Sequence, residues 1–220
     1  MRPIILAGIA AAAATSAASA AVNVTVNPGA SWLGFMNWFN LPAPQGDGAY
    51  QNGSPWGTAD LTATFAGDVL TLGVNSIGDP NEYWYIGGGG PGAAGNKIMD
   101  ANMYVEDNAL AGQVVSFTYE VLSNTFTSAH TSVAFIKDFA PDYSSNVAVT
   151  LPLTPGVHTI TLDTIDDPAR HVQFGFQTTG VNVWVTDIAP FGNAQVRSAV
   201  IPEPTVLGLL ALAPLALRRR

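Results

Sequence analysis

The chain contains no cysteine. That absence removes disulfides, thiol nucleophiles, cysteine-based zinc sites and iron–sulfur clusters. Positive charge is nearly as scarce. Of eight Lys and Arg residues, Arg2, Arg218, Arg219 and Arg220 sit at the extreme ends. Residues 21–200 keep only Lys97, Lys137, Arg170 and Arg197, and fifteen acids set against these four leave a net charge of −11 there. Four scattered cations assemble no basic patch, so nucleic acid is excluded as a partner. Long apolar runs are missing as well. The run from Thr205 to Leu217 is 13 residues. As a helix it would cover about 20 Å, short of a hydrocarbon core of roughly 30 Å. No amphipathic helical period stands out between the two ends.

Motif chemistry is thin in the same way. His130, His158 and His171 have no metal-ligand spacing, and neither H-E-x-x-H nor G-x-S-x-G occurs. Gly90-Pro91-Gly92-Ala93-Ala94-Gly95 is a literal G-x-G-x-x-G, but a dinucleotide site needs a helix after it, and a strand period follows. It reads as a surface loop. A glycosidase needs two carboxylates about 5–10 Å apart. The acids here lie mostly in turn contexts, such as Asp47, Asp68, Asp79, Asp142, Asp166 and Asp167. Asp79 to Glu82 and Asp163 to Asp167 cluster oxygens without the spacing of an EF-hand loop. No cofactor is expected.

What is present begins with the ends. Met1 to Ala20 has one early cation, Arg2, an apolar core from Ile4 to Ala14, and a close at Ala18-Ser19-Ala20. This is the layout of a signal peptide, with narrow side chains at Ala18 and Ala20 and the cut before Ala21. Signal peptidase is the partner this implies. At the other end Ile201-Pro202-Glu203-Pro204 precedes the 13-residue run, and Arg218-Arg219-Arg220 closes it. Pro214 interrupts the run, so a permanent anchor is physically poor. A transient membrane contact fits better, held by the arginines on the cytoplasmic side.

Between the ends the chain reads as short strands and turns. Val22, Val24 and Val26 alternate with polar residues. An aromatic segment, Trp32 to Phe39, precedes a Pro- and Gly-rich stretch from Leu41 to Gly57 read as a loop. Leu61 to Phe65 and Val69 to Val74 form a hairpin around Gly67-Asp68. Met99, Ala101, Met103 and Val105 alternate with Asp100, Asn102 and Tyr104, a period of two. Further strands are expected over Val114–Leu122, Ser132–Phe139, Val147–Leu153, Val157–Leu162, Val172–Thr178 and Val181–Ile188. The expectation is an all-β, antiparallel β-sandwich of jelly-roll type over 21–195, flanked by an N-terminal signal helix and a short C-terminal apolar helix. Residues 196–200 read as a linker to the tail.

The tail resembles a PEP-CTERM sorting signal in its Pro-Glu-Pro unit, apolar run and terminal Arg cluster; Ile201 stands where that family usually has Val. The resemblance covers about twenty residues. It implies a Gram-negative exported protein of the cell envelope, cell surface or extracellular matrix of an exopolysaccharide producer. It also implies that an exosortase-type membrane protease reads Pro202, Glu203 and Pro204, with Arg218, Arg219 and Arg220 as the basic end. The main domain is loosely similar to jelly-roll carbohydrate-binding modules. Such modules often end in a strand whose Asp helps hold a structural Ca²⁺; Asp187 matches that position, with Asn37 and Asn40 as available partners.

Aromatic residues give a second lead. In a strand, Tyr83 and Tyr85 would share one face and Trp84 the other. The two tyrosines would then form a sugar platform beside the glycine loop, or else pack under the 41–57 stretch. The expectations for function are a non-enzymatic structural or adhesive surface protein, a carbohydrate-binding module for exopolysaccharide, or a jelly-roll glycosidase.

Overall fold

A computed structural model describes residues 20–199. The expected signal helix with Ala18, and the tail with Pro202, Glu203, Pro204, Arg218, Arg219 and Arg220, lie outside the described residues. Ala20 and Ala21 are exposed, and the first strand begins one residue later.

Twelve strands are found among the described residues. In chain order they are β1 (Val22–Thr25), β2 (Leu33–Asn40), β3 (Tyr50–Pro55), β4 (Ala63–Ala66), β5 (Val69–Leu72) and β6 (Lys97–Glu106). Then follow β7 (Val114–Asn124), β8 (His130–Phe139), β9 (Asn146–Pro152), β10 (Gly156–Asp163), β11 (His171–Val181) and β12 (Ala194–Ser198). They form two packed sheets, an all-β sandwich. Sheet B runs β3-β2-β6-β11-β8-β9, with every pair antiparallel. Sheet A contains β10, β7, β12, β5 and β4 in that order, with β1 added. From β5 onward the chain crosses repeatedly between the sheets; only β8 and β9 are consecutive neighbours in one sheet.

Two-residue periodicity builds the core. Val115, Phe117, Tyr119 and Val121 of β7 point inward, opposite Val172, Phe174 and Phe176 of β11 and Met99, Ala101 and Met103 of β6. The Phe117 ring lies 5.1–5.4 Å from those of Tyr119, Phe174 and Phe176. Burying one such ring contributes about 1.5–3 kcal/mol. Trp32 lies against Phe176, and its indole N–H donates to the Asn27 carbonyl, which closes one side of the sandwich. At one end Asp138 is fully buried yet satisfied: it accepts from Arg170 Nε at 2.7 Å and from the Ile165 amide at 2.8 Å.

Several expectations are corrected. The sandwich is not wholly antiparallel, because β1 pairs parallel with β7 from Val22↔Val115 to Thr25↔Thr118. β12 takes the remainder of the same edge, Tyr119 to Asn124, while β10 occupies the opposite edge. Residues 196–198 are therefore not linker. Val196 is fully buried between β7 and β5, past a bulge at Gln195/Val196. Five residues with only two inward positions carry too little periodicity to announce a strand. The 41–57 stretch is not all loop, since β3 pairs with β2. It is a polar edge strand closed by Pro55, so it lacks an apolar face to read.

Tyr83, Trp84 and Tyr85 are not in a strand. The Asn81 side chain accepts from the Tyr83 amide, and the Asn81 carbonyl accepts from the Trp84 amide. That Asx-turn chemistry overrides the β-propensity of the rings. Past Val181, the expected last strand to Ile188 is reduced to one bridge, Ser76↔Val183, and a turn around Asp187.

Candidate functional site

The sequence-predicted site residues do not come together. Tyr85 is fully buried, and its hydroxyl donates to the Ile77 carbonyl at 2.6 Å, with the Val183 carbonyl 3.0 Å away. Tyr83 is 41% exposed, but its hydroxyl accepts from Trp38 Nε1 at 2.9 Å and Lys97 Nζ sits over its ring at 4.4 Å. The expected outward pair of tyrosines is thus absent: one ring is a core post, the other a brace for Trp38 and Trp84.

Asp187 is likewise occupied. Its carboxylate accepts from the Gly92 amide at 2.6 Å and from Thr186 Oγ1 at 2.9 Å, fastening the glycine loop. Asn40 donates to Asp47, and Asn37 points elsewhere, to the face described below. Among the described residues no group of three or more acids or histidines is placed to hold a metal ion. This donor set does not fit a calcium centre at Asp187. The G-x-G-x-x-G stretch leads into strand β6, as its period implied.

The outward face of sheet B is different. Residues 100, 102, 104 and 106 of β6 alternate with the core residues and stand outward. The register sets Gln177 beside Asn102, Gly175 beside Tyr104 and Gln173 beside Glu106. On the next strand Lys137 lies beside Gln173 and Phe135 beside Gly175. A cleft of about 550 Å³ lies over this face. Asn102, Tyr104 and Gln173 make its floor, with Lys137; Phe35 and Tyr50 stand at one side, Phe139 and Tyr143 at the other.

Asn102 and Lys137 of its floor belong to a closed ring of four side chains that continues beside the cleft to Asp100 and Gln177. Lys137 Nζ donates to Asn102 Oδ1 and to Gln177 Oε1, both at 2.8 Å. The amide groups of Asn102 and Gln177 donate in turn to the two Asp100 oxygens, each at 3.1 Å. Each amide thus bridges a cation and a carboxylate, which fixes which way it faces. Burial pushes the Asp100 carboxyl up to about 6, against the pull of Lys137 and the two amides. Burial also holds the Lys137 ammonium below its ordinary value, with Asp100 opposing.

A second cluster closes one end. Glu106 accepts from Gln173 Nε2 at 2.7 Å and from the Tyr143 hydroxyl at 3.2 Å. The Tyr143 ring stacks on His171 at 4.3 Å and 11°. Burial, then Glu106, pushes the Tyr143 phenol up to about 12. Gly175 lets β11 approach the β6 backbone closely; a Cβ there would meet the Met103 carbonyl oxygen at 2.1 Å.

Other hollows offer less. One of about 610 Å³ is walled by Gly92–Gly95, Val181, Val183 and Phe191, and its carboxylate, Asp187, is the one already bonded to Gly92. The sequence carried one sign of the cleft on sheet B. The polar partners of the 99–105 alternation are an acid, an amide and a phenol instead of the small hydroxyls usual on an exposed sheet face. Against the whole chain, no protein-family model matches, and neither a curated protein nor a solved structure matches it.

Proposed function

We propose that this chain is an exported, non-enzymatic protein of the cell surface or extracellular matrix, and that it holds polysaccharide in the cleft on sheet B. The observation that carries the reading is the make-up of that cleft. Flat apolar rings stand at its two sides and hydrogen-bonding amides line its floor. Rings stack on the C–H faces of sugars, while amides and phenols exchange hydrogen bonds with hydroxyls. The strand order supports a jelly-roll assignment: β5-β12-β7-β10 faces β6-β11-β8-β9, an eight-stranded arrangement of two interleaved Greek keys. β1 to β4 extend it at the edges.

Export rests on the two ends of the sequence. Signal-peptide removal before Ala21 leaves β1 whole, and β12 ends at Ser198, ahead of the Pro202-Glu203-Pro204 unit. The tail is read as an exosortase-type sorting signal with transient membrane contact. Against a glycosidase stands the spacing of the two carboxylates flanking the cleft. Asp100 and Glu106 are six residues apart on one extended strand, about 20 Å at 3.3 Å per residue. Catalytic pairs need about half that or less.

Polysaccharide pull-down of the purified full chain tests the cleft. Phe35→Ala and Tyr143→Ala are expected to lose retention, and Tyr83→Ala to keep it. Retention lost only in Tyr83→Ala would move the site back to the glycine loop. For export, replacing Pro202, Glu203 and Pro204 by Ala should leave an unprocessed, membrane-retained precursor; normal release of that variant sinks the sorting assignment.

A further inference from the structure

Resting on the glycan reading of the cleft, we infer that its ligand class is uncharged polysaccharide, and that glycans bearing carboxylate or sulfate groups are rejected. Three observations lead there. The first is that the charged groups of the cleft are already engaged by the protein. Lys137 is the cation lining it; two of its three N–H bonds go to Asn102 and Gln177, and its ammonium lies 4.1 Å from the centre of the Phe135 ring. Asp100 sits across the same two amides and offsets its charge. Glu106 is taken by Gln173 and Tyr143.

The second observation is that the polar groups left open are neutral. Among the described residues, the Asn37 amide and the Tyr50 and Tyr104 hydroxyls line the cleft without a hydrogen bond from any protein group. These give and receive hydrogen bonds with sugar hydroxyls and bring no charge. The third is the balance of charge. Lys137 against Asp100 and Glu106 leaves the face net negative, within a stretch of net charge −11. An anionic sugar entering here gives up hydration and meets no free cation, so desolvation and repulsion both oppose it.

The test is affinity electrophoresis of the full chain at pH 7.5, in gels containing either neutral polysaccharides (β-1,3-glucan, hydroxyethyl cellulose, galactomannan, xylan) or acidic ones (alginate, polygalacturonate, a sulfated galactan). Retardation by at least one neutral gel and by none of the acidic gels is expected. Tyr50 is exposed and safe to truncate; Tyr50→Ala and Asn37→Ala should each weaken the neutral interaction about tenfold, the loss of roughly one good contact. Raising the salt from 50 to 500 mM should leave the neutral interaction unchanged, since screening acts on charges. Retardation by an acidic gel as strong as by any neutral one, or a binding constant that falls steeply with salt, overturns the charge selection. Retardation by no gel of either kind overturns the glycan reading beneath it.

Discussion

On the outward face of sheet A, Ser116 meets Thr161 and Thr118 meets Thr159, hydroxyl to hydroxyl at 2.9 Å. On the outward face of sheet B, the corresponding positions carry Asp100, Asn102, Tyr104, Gln173, Gln177 and Lys137. Both faces obey the same alternation. Short hydroxyls satisfy one another within a cross-strand pair and leave a closed surface. Longer amides, an acid and a lysine reach across three strands, bury one another, and leave some neutral groups open. The half-buried ion pair of sheet A, Arg197 with Glu120 at 2.8 Å, lies close to solvent and is of the ordinary surface kind. The comparison separates a face that only finishes a sheet from a face built at some cost in desolvation.

That cost is open to direct measurement. Lys137→Met removes the ammonium, orphans two amide carbonyls and leaves the Asp100 carboxylate without its counter-charge. It should destabilise the fold by about 3 kcal/mol in urea denaturation, the scale for breaking a buried ionic network. Adding Asp100→Leu should deepen the loss, because Asn102 and Gln177 then lack acceptors for their amide N–H groups as well as a donor for their carbonyls. On sheet A, Thr118→Val and Thr159→Val should each cost about 1 kcal/mol and the double variant little more, because both break the one hydroxyl pair. If Lys137→Met costs no more than Thr118→Val, the two faces do not differ in the way described.

A pH series sharpens the same contrast, by setting Asp100 on the outward face against His130 at the end of the interior. His130 is buried against Phe126 and Phe191, and its Nε2 accepts from the Asn75 amide. Burial pushes its imidazole down to about 4, whereas burial pushes the Asp100 carboxyl up to about 6. The signs are opposite. The raised Asp100 gives stability that is full below pH 3.8 and is lost as pH rises through about 6. The lowered His130 gives stability that is full above pH 6.5 and is lost as pH falls through about 4. Each is on the order of 3 kcal/mol, so they largely cancel between pH 4 and 6. Asp100→Asn should uncover a stability that climbs with pH across that window, and His130→Gln one that falls. Parallel pH profiles for the two variants would refute the opposition.

How far the sequence shows these features depends on how local their causes are. Strands β6, β7 and β11 are legible because inward apolar residues recur at every second position, as in Val115, Phe117, Tyr119 and Val121. β8 sets Ser132 and Asp138 inward and shows instead through its β-branched and aromatic residues. β3 and β12 are not legible, being short, and β3 exposes both faces. Tyr83 and Tyr85 mislead because an Asx turn at Asn81 outweighs the rings' preference for strand. The ring of Asp100, Asn102, Lys137 and Gln177 draws on β6, β8 and β11, so only the register reveals it. Asp187 was legible as an acid near the end of the fold, but its partner, the Gly92 amide, lies 95 residues away.

The smallest expected change in stability tests whether the cleft wall is kept for binding. Tyr143 has φ of 58°, a left-handed conformation that a bulky residue adopts at a cost of about 1 kcal/mol. The turn that imposes it is well tied. The Ala140 amide donates to Ser145, the Tyr143 amide donates to Ala140, and Asp142 accepts from the Ser144 amide and hydroxyl. Asn tolerates this conformation better than Tyr. Tyr143→Asn therefore relieves strain while losing the stack on His171 and the hydroxyl bond to Glu106. These terms oppose each other, and the net shift in stability should stay within about 0.5 kcal/mol. Retention on neutral polysaccharide should nevertheless fall, because the ring that walls the cleft is gone. A variant that keeps full retention would make the tyrosine's strained backbone a feature of the turn alone. Lost retention at unchanged stability ties the strain to the cleft.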